Sequence, residues 1–289
     1  MNSELYCSFA EPSGLDIQPN IFRGFAGPNN FIESDPGSKV WCIQKLNAIK
    51  QNQHWVLENL MVDLSKQWQS NTVGLIEFIY PANHSFNYTE AQKAQVFCNR
   101  IKNKYNKNYN TPFKYYITNN VDDMGLLENF DYYFTGITSG KARENMIITA
   151  KGNEYYPHEL VHKVIPINKN RGYVIDEGLA TYLGTRENKS EYNALMAKLA
   201  KDLIENPNEI NFESVVSQKT PFNGYQTAYP AGAGICEVIM ANSGDKGLIQ
   251  LINGNTSTYI DLINTVSKIT KLTESEIKAE WKIALINYL

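Results

Sequence analysis

One stretch of the sequence, Tyr155–Gly184, constrains the fold of this chain more than any other. It contains the pattern His-Glu-x-x-His, formed by His158, Glu159 and His162, and Glu177 follows fifteen residues after the second histidine. Side chains that are four residues apart on an α-helix lie on the same face, one turn from each other. The spacing therefore predicts a short helix that presents the two imidazoles side by side.

The residues around this pattern indicate where its helices begin and end. Pro157 suits the first position of a helix, where a missing N–H loses no partner, and Pro166 predicts that the helix ends near Ile165. A second helix is expected to begin near Asp176, whose side chain would cap it and leave Glu177 in its first turn. The alternative is a coincidental pattern within an ordinary buried helix.

Two neighbouring imidazoles and a carboxylate form a ligand set that is typical of a metal site. Imidazole nitrogens bind zinc at roughly 2.0–2.1 Å, and a catalytic zinc has three protein ligands and one open position. The predicted ligands of one Zn²⁺ ion per chain are therefore His158, His162 and Glu177. Glu159 points about 100° around the helix from the first ligand, which suits a general base that takes a proton from the attacking water. The competing interpretation is a structural zinc, but such sites have four protein ligands, often cysteines, and no cysteine lies near the pattern.

The His-Glu-x-x-His pattern, followed by Asp-Glu-Gly-Leu-Ala-Thr-Tyr at 176–182, resembles the gluzincin metallopeptidases. This group includes thermolysin-like and aminopeptidase-N-like enzymes and the smaller peptidase MA-like domains. The resemblance implies a zincin-like fold with the active site between two subdomains, in which His158, His162 and Glu177 bind zinc and Glu159 is the base. The fourteen residues between the second histidine and Glu177 are fewer than in thermolysin or aminopeptidase N, and are more like the MA-like domains. Substrate specificity therefore does not transfer with the resemblance.

A second match to aminopeptidase-N-like enzymes lies in residues 224–233. In those enzymes a similar run opens a helix, and its tyrosine hydroxyl stabilises the oxyanion of the tetrahedral intermediate; Tyr229 falls at that position here. A phenol aimed at developing negative charge can contribute several kcal/mol. Tyr225 is the second candidate, and ordinary packing is the alternative for both. The amine-binding run of those enzymes, Gly-x-Met-Glu-Asn, has only a faint counterpart at 140–145, so amine recognition is not assigned to Glu144.

Composition excludes several other classes of protein. The 289 residues are 43% hydrophobic and 12% aromatic, enough to build a sizeable core in one or two domains. A formal net charge of −3, without long basic runs, argues against a nucleic-acid partner. No apolar stretch approaches the length that crosses a bilayer, so no transmembrane segment is expected. The four cysteines are scattered and form no C-x-x-C pair, which leaves open whether they form disulfides.

The first residues lack the charged and apolar regions of a signal peptide. Because the chain is rich in Asn, Tyr and Ser and only 20% charged, we expect an exported protein, periplasmic, cell-surface or secreted, whose signal has been removed.

The chain is predicted to adopt an α+β fold with a small mixed sheet. Its expected parts are an extended arm at 1–38, an α/β subdomain at 39–165 that ends with the zinc helix, and a helical subdomain at 166–289. Strands are predicted at 5–9, 73–80, 113–118 and 145–150. Helices are predicted at 39–69 (one or two, including His54), 87–105, 191–206, 228–240, 248–252, 259–269 and 273–288. The last begins with a capping box of Thr273 and Glu276, and the strand at 145–150 is expected at a sheet edge, where an extended substrate would pair with it.

These observations favour a zinc metallopeptidase that hydrolyses peptide bonds in peptides or proteins. The alternatives are a zinc hydrolase of a non-peptide amide or ester, and a catalytically inactive domain that binds a partner. Arg171 and Arg186 lie near the pattern in sequence. Each is a candidate for binding a substrate carboxylate, with a surface or structural role as the competing interpretation.

Overall fold

The computed structural model describes residues 21–25, 42–133, 139–217 and 227–289. The fold is α+β, as the sequence predicts, with strands in the N-terminal part and mostly helices in the C-terminal part. The strands are β1 (Ile21–Phe25), β2 (Cys42–Gln51), β3 (His54–Glu58), β4 (Gln69–Val73), β5 (Ile76–Tyr80), β6 (Phe113–Ile117), β7 (Phe130–Tyr133), β8 (Gly140–Ala142) and β9 (Met146–Thr149). The helices are α1 (Met61–Leu64), α2 (Tyr88–Tyr105), α3 (Val121–Leu127), α4 (Pro157–Val164), α5 (Tyr173–Leu183), α6 (Lys189–Glu205), α7 (Phe212–Val216), α8 (Ala228–Asn253), α9 (Tyr259–Thr270) and α10 (Glu274–Ile286), and a 3₁₀ turn covers Thr185–Glu187.

The described residues form two compact units. The first takes in the residues up to Asn87 and those of Phe113–Lys141 and Asn145–Glu154, whereas the second takes in Tyr88–Pro112, Ala142–Glu144 and Tyr155–Leu289. Subdomain boundaries at 38 and 165 stay predictions.

The first unit contains the strands, apart from Ala142 at the end of β8. In a mixed five-stranded sheet of order β4-β5-β6-β9-β8, the neighbours β5, β6 and β9 are parallel and β4 is antiparallel to β5. A buried cluster joins this sheet to α3 and is made by Ile79, Tyr116 and Ile148 of the strands with Met124 and Leu127 of the helix. A second sheet pairs β2 with β1, β3 and β7, each antiparallel. The mixed sheet agrees with the sequence-based prediction.

The helical prediction for residues 39–69 is wrong. Most of this segment is the hairpin of β2 and β3. The two strands are joined by Asn52 and Gln53, whose φ angles are positive, at 49° and 69° respectively. Two central residues with positive φ match the twist of antiparallel strands, and asparagine tolerates that conformation. The helical prediction came from the spacing of five apolar residues, which the structure divides between β3, α1 with the residue before it, and the residue before β4: Leu57, Leu60, Met61, Leu64 and Trp68. His54 is an exposed strand residue.

Two predicted strands also differ from the structure. The segment at 73–80 forms only the end of β4 and all of β5, because a turn at Gly74, with φ of 61°, separates two antiparallel strands. The strand predicted at 145–150 is β9, which lies between β6 and β8, so the expectation that it forms a free edge is wrong. The edge belongs to β8, a three-residue strand that is too short to produce an alternating pattern.

The second unit is built from helices around α8. This helix contacts α5, α6, α7, α9 and α10, while α4 contacts both α2 and α5. The predicted helices at 87–105, 191–206, 259–269 and 273–288 are confirmed within a few residues, including the capping box of Thr273 and Glu276. The two helices predicted at 228–240 and 248–252 are parts of α8, which has a kink at Gly244, where φ is 57°. The strand predicted at 5–9 lies outside the described residues.

Across the ranges that the structure describes, no helix has both the length and the apolar surface that crossing a membrane requires.

Candidate metal centre

Three of the side chains singled out by their sequence spacing converge in the second unit. His158 and His162 lie on α4, and Glu177 lies on α5. Glu177 Oε2 is 3.1 Å from Nε2 of His158 and 3.5 Å from Nε2 of His162. One ligand atom from each residue lies within 4.8 Å of the other two, and no other such group of three occurs among the described His, Cys, Asp and Glu residues.

These separations suit a single metal ion. Zinc bonds of about 2.0–2.2 Å in tetrahedral geometry separate neighbouring ligand atoms by roughly 3.3–3.6 Å. The two distances from the Glu177 carboxylate, 3.1 and 3.5 Å, lie close to that range. Two neutral imidazoles and one carboxylate are also the donor set of catalytic rather than structural zinc, because three ligands leave the fourth position open. The residues present therefore fit a zinc ion.

The second ring nitrogen of each histidine also has a partner. Nδ1 of His158 is 3.1 Å from the hydroxyl of Thr185, and Nδ1 of His162 is 3.2 Å from Oδ2 of Asp176. The other carboxylate oxygen of Asp176 accepts a hydrogen bond of 2.7 Å from Nε of Arg171. Because these contacts occupy Nδ1, both histidines present Nε2 toward Glu177, which is the arrangement that fixes ring orientation in metal sites.

The carboxylates change the protonation of this cluster. Burial lowers the pKa of His162, but its hydrogen bonds to Asp176 and Glu177 outweigh that effect and raise the pKa to about 10. Burial raises the pKa of both carboxyls, yet the facing imidazoles hold them at about 2, with Arg171 contributing at Asp176. In the metal-free protein His162 is therefore protonated, and its positive charge stabilises the ionised carboxylates of Asp176 and Glu177.

A second face of α4, next to the one that carries the two histidines, carries two buried charged residues. Glu159 and Lys163 are four residues apart, and Glu159 accepts a hydrogen bond from the backbone N–H of Ala142. The buried ammonium of Lys163 donates to the carbonyl oxygens of Arg143, at 2.8 Å, and Glu144. Burial raises the pKa of the Glu159 carboxyl, although the charges of the two histidines oppose this rise. A buried carboxylate is therefore held next to the ligand cluster without belonging to it.

A close helix crossing brings Tyr229 to the same place. A Cβ atom added to Gly178 of α5 would lie only 2.3 Å from Cα of Gly232 in α8, so the two backbones touch at this point. Three residues before Gly232, the ring of Tyr229 stacks on the imidazole of His158 with centroids 5.3 Å apart. The sequence runs Glu-Gly-Leu-Ala and Pro-Ala-Gly-Ala thus supply the small residues that this crossing requires.

The Tyr229 hydroxyl is hydrogen-bonded to the hydroxyl of Tyr173, which lies one turn before Glu177 on α5. Burial, and then the negative charge of Glu177, raise the pKa of Tyr229 well above its usual value, so the phenol is protonated. A protonated phenol can donate a hydrogen bond.

Several sequence-based expectations have a different outcome in the structure. Asp176 does not cap α5, because the helix already begins at Tyr173, and its carboxylate contacts His162 and Arg171 instead. The N-cap is Gly172, whose N–H donates to the Thr256 hydroxyl at 2.9 Å, so a tertiary contact sets the helix start.

The two arginines considered for substrate binding have structural contacts. The side chain of Arg171 is buried and donates to the carbonyl oxygens of Ile252 and Pro166, at 2.9 and 3.0 Å, in addition to Asp176. Arg186 lies over the ring of Tyr182, 4.8 Å from its centroid.

Other tyrosine, histidine and cysteine residues do not belong to the cluster or lie outside the described ranges. Tyr225 lies outside the described residues. His84 pairs with Glu154 at 2.8 Å in the first unit, and Cys98 and Cys236 are buried free thiols. Sequence reasoning missed the contacts of Thr185 and Arg171 with the cluster; the position of Asp176 next to a predicted ligand was the one available signal.

No model of a known protein family matches the chain, and no curated protein matches it. Among solved structures, similar ones include an M1 zinc metallopeptidase from Deinococcus radiodurans in a mutant form bound to a Tyr-Ser-Ala substrate, with 13% identity over 76% of this chain and 51% of that chain, and a TM-score of 0.43. The metallopeptidase from the same organism without that mutation has 12% identity over 84% of this chain and 51% of that chain, with a TM-score of 0.42. Legionella pneumophila aminopeptidase A in complex with aspartic acid has 14% identity over 74% of this chain and 28% of that chain, with a TM-score of 0.46. The chain spans about half of the length of the first two proteins, and less of the third.

Proposed function

We propose that this chain is a zinc-dependent hydrolase that cleaves peptide bonds. One observation carries the proposal: two imidazole Nε2 atoms and the Glu177 carboxylate converge within 4.8 Å, with a buried carboxylate, Glu159, on the next helix position. In this proposal His158, His162 and Glu177 are the zinc ligands and Glu159 is the general base. Peptides or proteins are the proposed substrates.

The chemistry needs a base that is close to the attacking water and partly protected from solvent. Bound zinc would supply a Lewis acid that lowers the pKa of water to about 7 and polarises a carbonyl oxygen. Glu159 takes the proton from the attacking water and later delivers it to the leaving amine. Its burial, which raises its pKa, makes it a stronger base than an exposed glutamate, and the Ala142 N–H holds it in place.

Tyr229 is the proposed donor to the oxyanion of the tetrahedral intermediate. Its phenol is held beside the first ligand by stacking on His158. A phenol is protonated at neutral pH, and burial raises the pKa of Tyr229 further, so it stays protonated. A donor that is already oriented before the reaction stabilises developing charge without reorganisation. The hydroxyl of Tyr173 is its hydrogen-bond partner. In the reaction Tyr173 would have to donate to Tyr229, which would leave the Tyr229 O–H free to donate to the oxyanion.

The test begins with metal content, measured by elemental analysis on protein purified without added metal. We expect about one zinc per chain in the wild type, none in His158→Ala, and unchanged zinc in Glu159→Gln. The proteins are then assayed with a peptide library, in which the wild type should cleave peptides and Glu159→Gln should lose on the order of 10²–10⁴-fold in rate.

The outcomes separate the possible functions. Absence of zinc even after zinc is added back would refute the enzyme proposal and favour a binding domain. Zinc without peptide cleavage, but with hydrolysis of simple esters or amides that Glu159→Gln lacks, would keep the mechanism and replace the substrate. Full turnover by Glu159→Gln would show that the base is a different residue.

A further inference from the structure

We infer that Thr185 is a positioning residue for the first proposed metal ligand, His158, an inference that rests on the proposed zinc site. Its hydroxyl oxygen is 3.1 Å from Nδ1 of the His158 ring. When Nε2 of a neutral imidazole binds a metal, the remaining proton is on Nδ1 and needs an acceptor. Thr185 provides that acceptor, so it selects the tautomer and the ring orientation that point Nε2 at the metal.

The backbone brings Thr185 to this position through a close contact at Gly184. A Cβ atom at Gly184 would lie 2.6 Å from the carbonyl oxygen of Pro157 and 2.7 Å from that of Ala180. Only glycine lets the chain pass this close to the first turn of the helix that carries His158. The next residue, Thr185, starts the 3₁₀ turn and is thereby directed at the ring.

The two residues after Thr185 hold the turn in place. The Glu187 carboxylate pairs with Arg100 at 2.7 Å and accepts a hydrogen bond from the Tyr155 hydroxyl at 3.2 Å. The guanidinium of Arg186 lies 4.8 Å from the centroid of the Tyr182 ring. Exposed pairs of this kind each contribute little to stability, but together they fix the short turn from both sides. This explains how a threonine in a three-residue turn can hold a buried imidazole in one orientation.

The Nδ1 atoms of the two histidines have partners of different charge. His162 contacts the carboxylate of Asp176, whereas His158 contacts a neutral hydroxyl. Removing the Thr185 hydroxyl leaves the net charge of the site unchanged, so any loss of metal affinity comes from the position and tautomer of the ring.

The experiment measures the zinc affinity of purified protein by competition with a chromogenic chelator, independent of any enzymatic activity. Thr185→Val, which removes the hydroxyl and nearly preserves the volume, should bind zinc about 10–100-fold more weakly than the wild type, as expected for loss of a partner of a metal ligand. Thr185→Ser keeps the hydroxyl and should bind zinc with an affinity close to that of the wild type. Thr185→Ala is a second variant without the hydroxyl, for use if the valine protein does not fold.

The matched control is Thr181→Val. Thr181 lies one turn earlier, is buried, and donates its hydroxyl to the carbonyl oxygen of Glu177 at 2.8 Å, whereas Thr185 would accept from a histidine. Its zinc affinity should stay near that of the wild type. Equal affinity in the wild type and in folded Thr185→Val or Thr185→Ala would overturn this inference alone. A wild type that binds no zinc would overturn the proposed function and this inference with it.

Discussion

His162 is the proposed ligand whose charge depends most on its neighbours. Its hydrogen bonds to Asp176 and Glu177 raise its pKa to about 10 against the effect of burial, compared with about 6.5 in an unfolded chain. A pKa that is higher in the folded state stabilises the protein fully below about pH 6.5, and this stabilisation is lost as the pH rises through the folded value. The two carboxyls with pKa values of about 2 add stability above about pH 4.5, which is lost as the pH falls toward 2.

The contribution of this cluster to the stability of the metal-free protein should therefore be largest between about pH 4.5 and 6.5 and should decline toward pH 10. Asp176→Asn removes one of the charges that favour protonated His162, so the pKa of His162 should fall and the alkaline loss of stability should become smaller. NMR titration of the imidazole protons and urea unfolding at several pH values measure both effects in zinc-free protein. Asp245→Asn is the control, because that exposed carboxylate pairs with Lys104 and should leave the His162 titration unchanged. An unaltered His162 pKa in Asp176→Asn would contradict the assigned contact.

At this scale the sequence was informative about residue types and less so about their partners. The pairing of His158 and His162 could be predicted because helix periodicity puts them on one face. The expectation that Glu177 joins them came from the ligand count of a catalytic zinc and from the resemblance to gluzincins. The contacts at Nδ1 could not be predicted, because they depend on where tertiary packing brings a distant side chain. Asp176 is an example. Its residue type and its place before Glu177 predict a helix cap, but the helix starts three residues earlier, where the N–H of Gly172 is bound by Thr256.

The pair of helices α5 and α8 is the element-scale feature on which the site depends. Their backbones meet at Gly178 and Gly232, so one helix delivers Glu177 and the other delivers Tyr229 to the same point. An added methyl group at Gly232 would lie 2.0 Å from the carbonyl oxygen of Val174, which is backbone and cannot rotate away. Relief of such a contact requires the helices to separate.

Gly232→Ala should therefore lower the free energy of unfolding by about 1–3 kcal/mol or more and weaken zinc binding by displacing α5. Urea unfolding and chelator competition test the two effects separately. Gly247→Ala serves as the comparison, because Gly247 lies in the part of α8 after the kink, and the three atoms nearest to a Cβ there belong to the side chains of Ser243, Ile239 and Ile269. It is expected to cost stability without changing zinc affinity. A stable Gly232→Ala protein with normal zinc affinity would show that the crossing does not position the site.

Whether a segment is helix or strand could be predicted where the apolar residues kept one regular spacing over many residues. The helix α2 and the capped helix α10 agree with the sequence for that reason. The hairpin of β2 and β3 was mistaken for helix because apolar residues from three short elements coincided with a 3.6-residue spacing. Its decisive feature is a two-residue turn with positive φ at Asn52 and Gln53, and the pair Asn-Gln is a weaker turn signal than Asn-Gly.

At the scale of the whole molecule, every residue of the proposed zinc site belongs to the second of the two compact units. A ligand that binds only the folded state stabilises it by about 2.7 kcal/mol when its concentration is 100 times Kd. Zinc binding therefore slows hydrogen exchange at backbone amides that become exposed only when the site is broken. Amides in a unit that opens separately keep their exchange rates. Zinc should therefore act on one part of the chain more than on the other.

Hydrogen exchange with and without zinc measures this difference. Backbone amides of α4 and α5 should exchange more slowly when zinc is bound, whereas those of β5 and β6 in the first unit should exchange at the same rate. His158→Ala treated with zinc is the control and should show no protection anywhere. Equal protection in both units would mean that they open as one cooperative structure, and the zinc site would then stabilise the described chain as a whole. No protection in α4 and α5, in a protein shown to bind zinc, would place the metal elsewhere, because a ligand held by His158, His162 and Glu177 must be released before either helix can open.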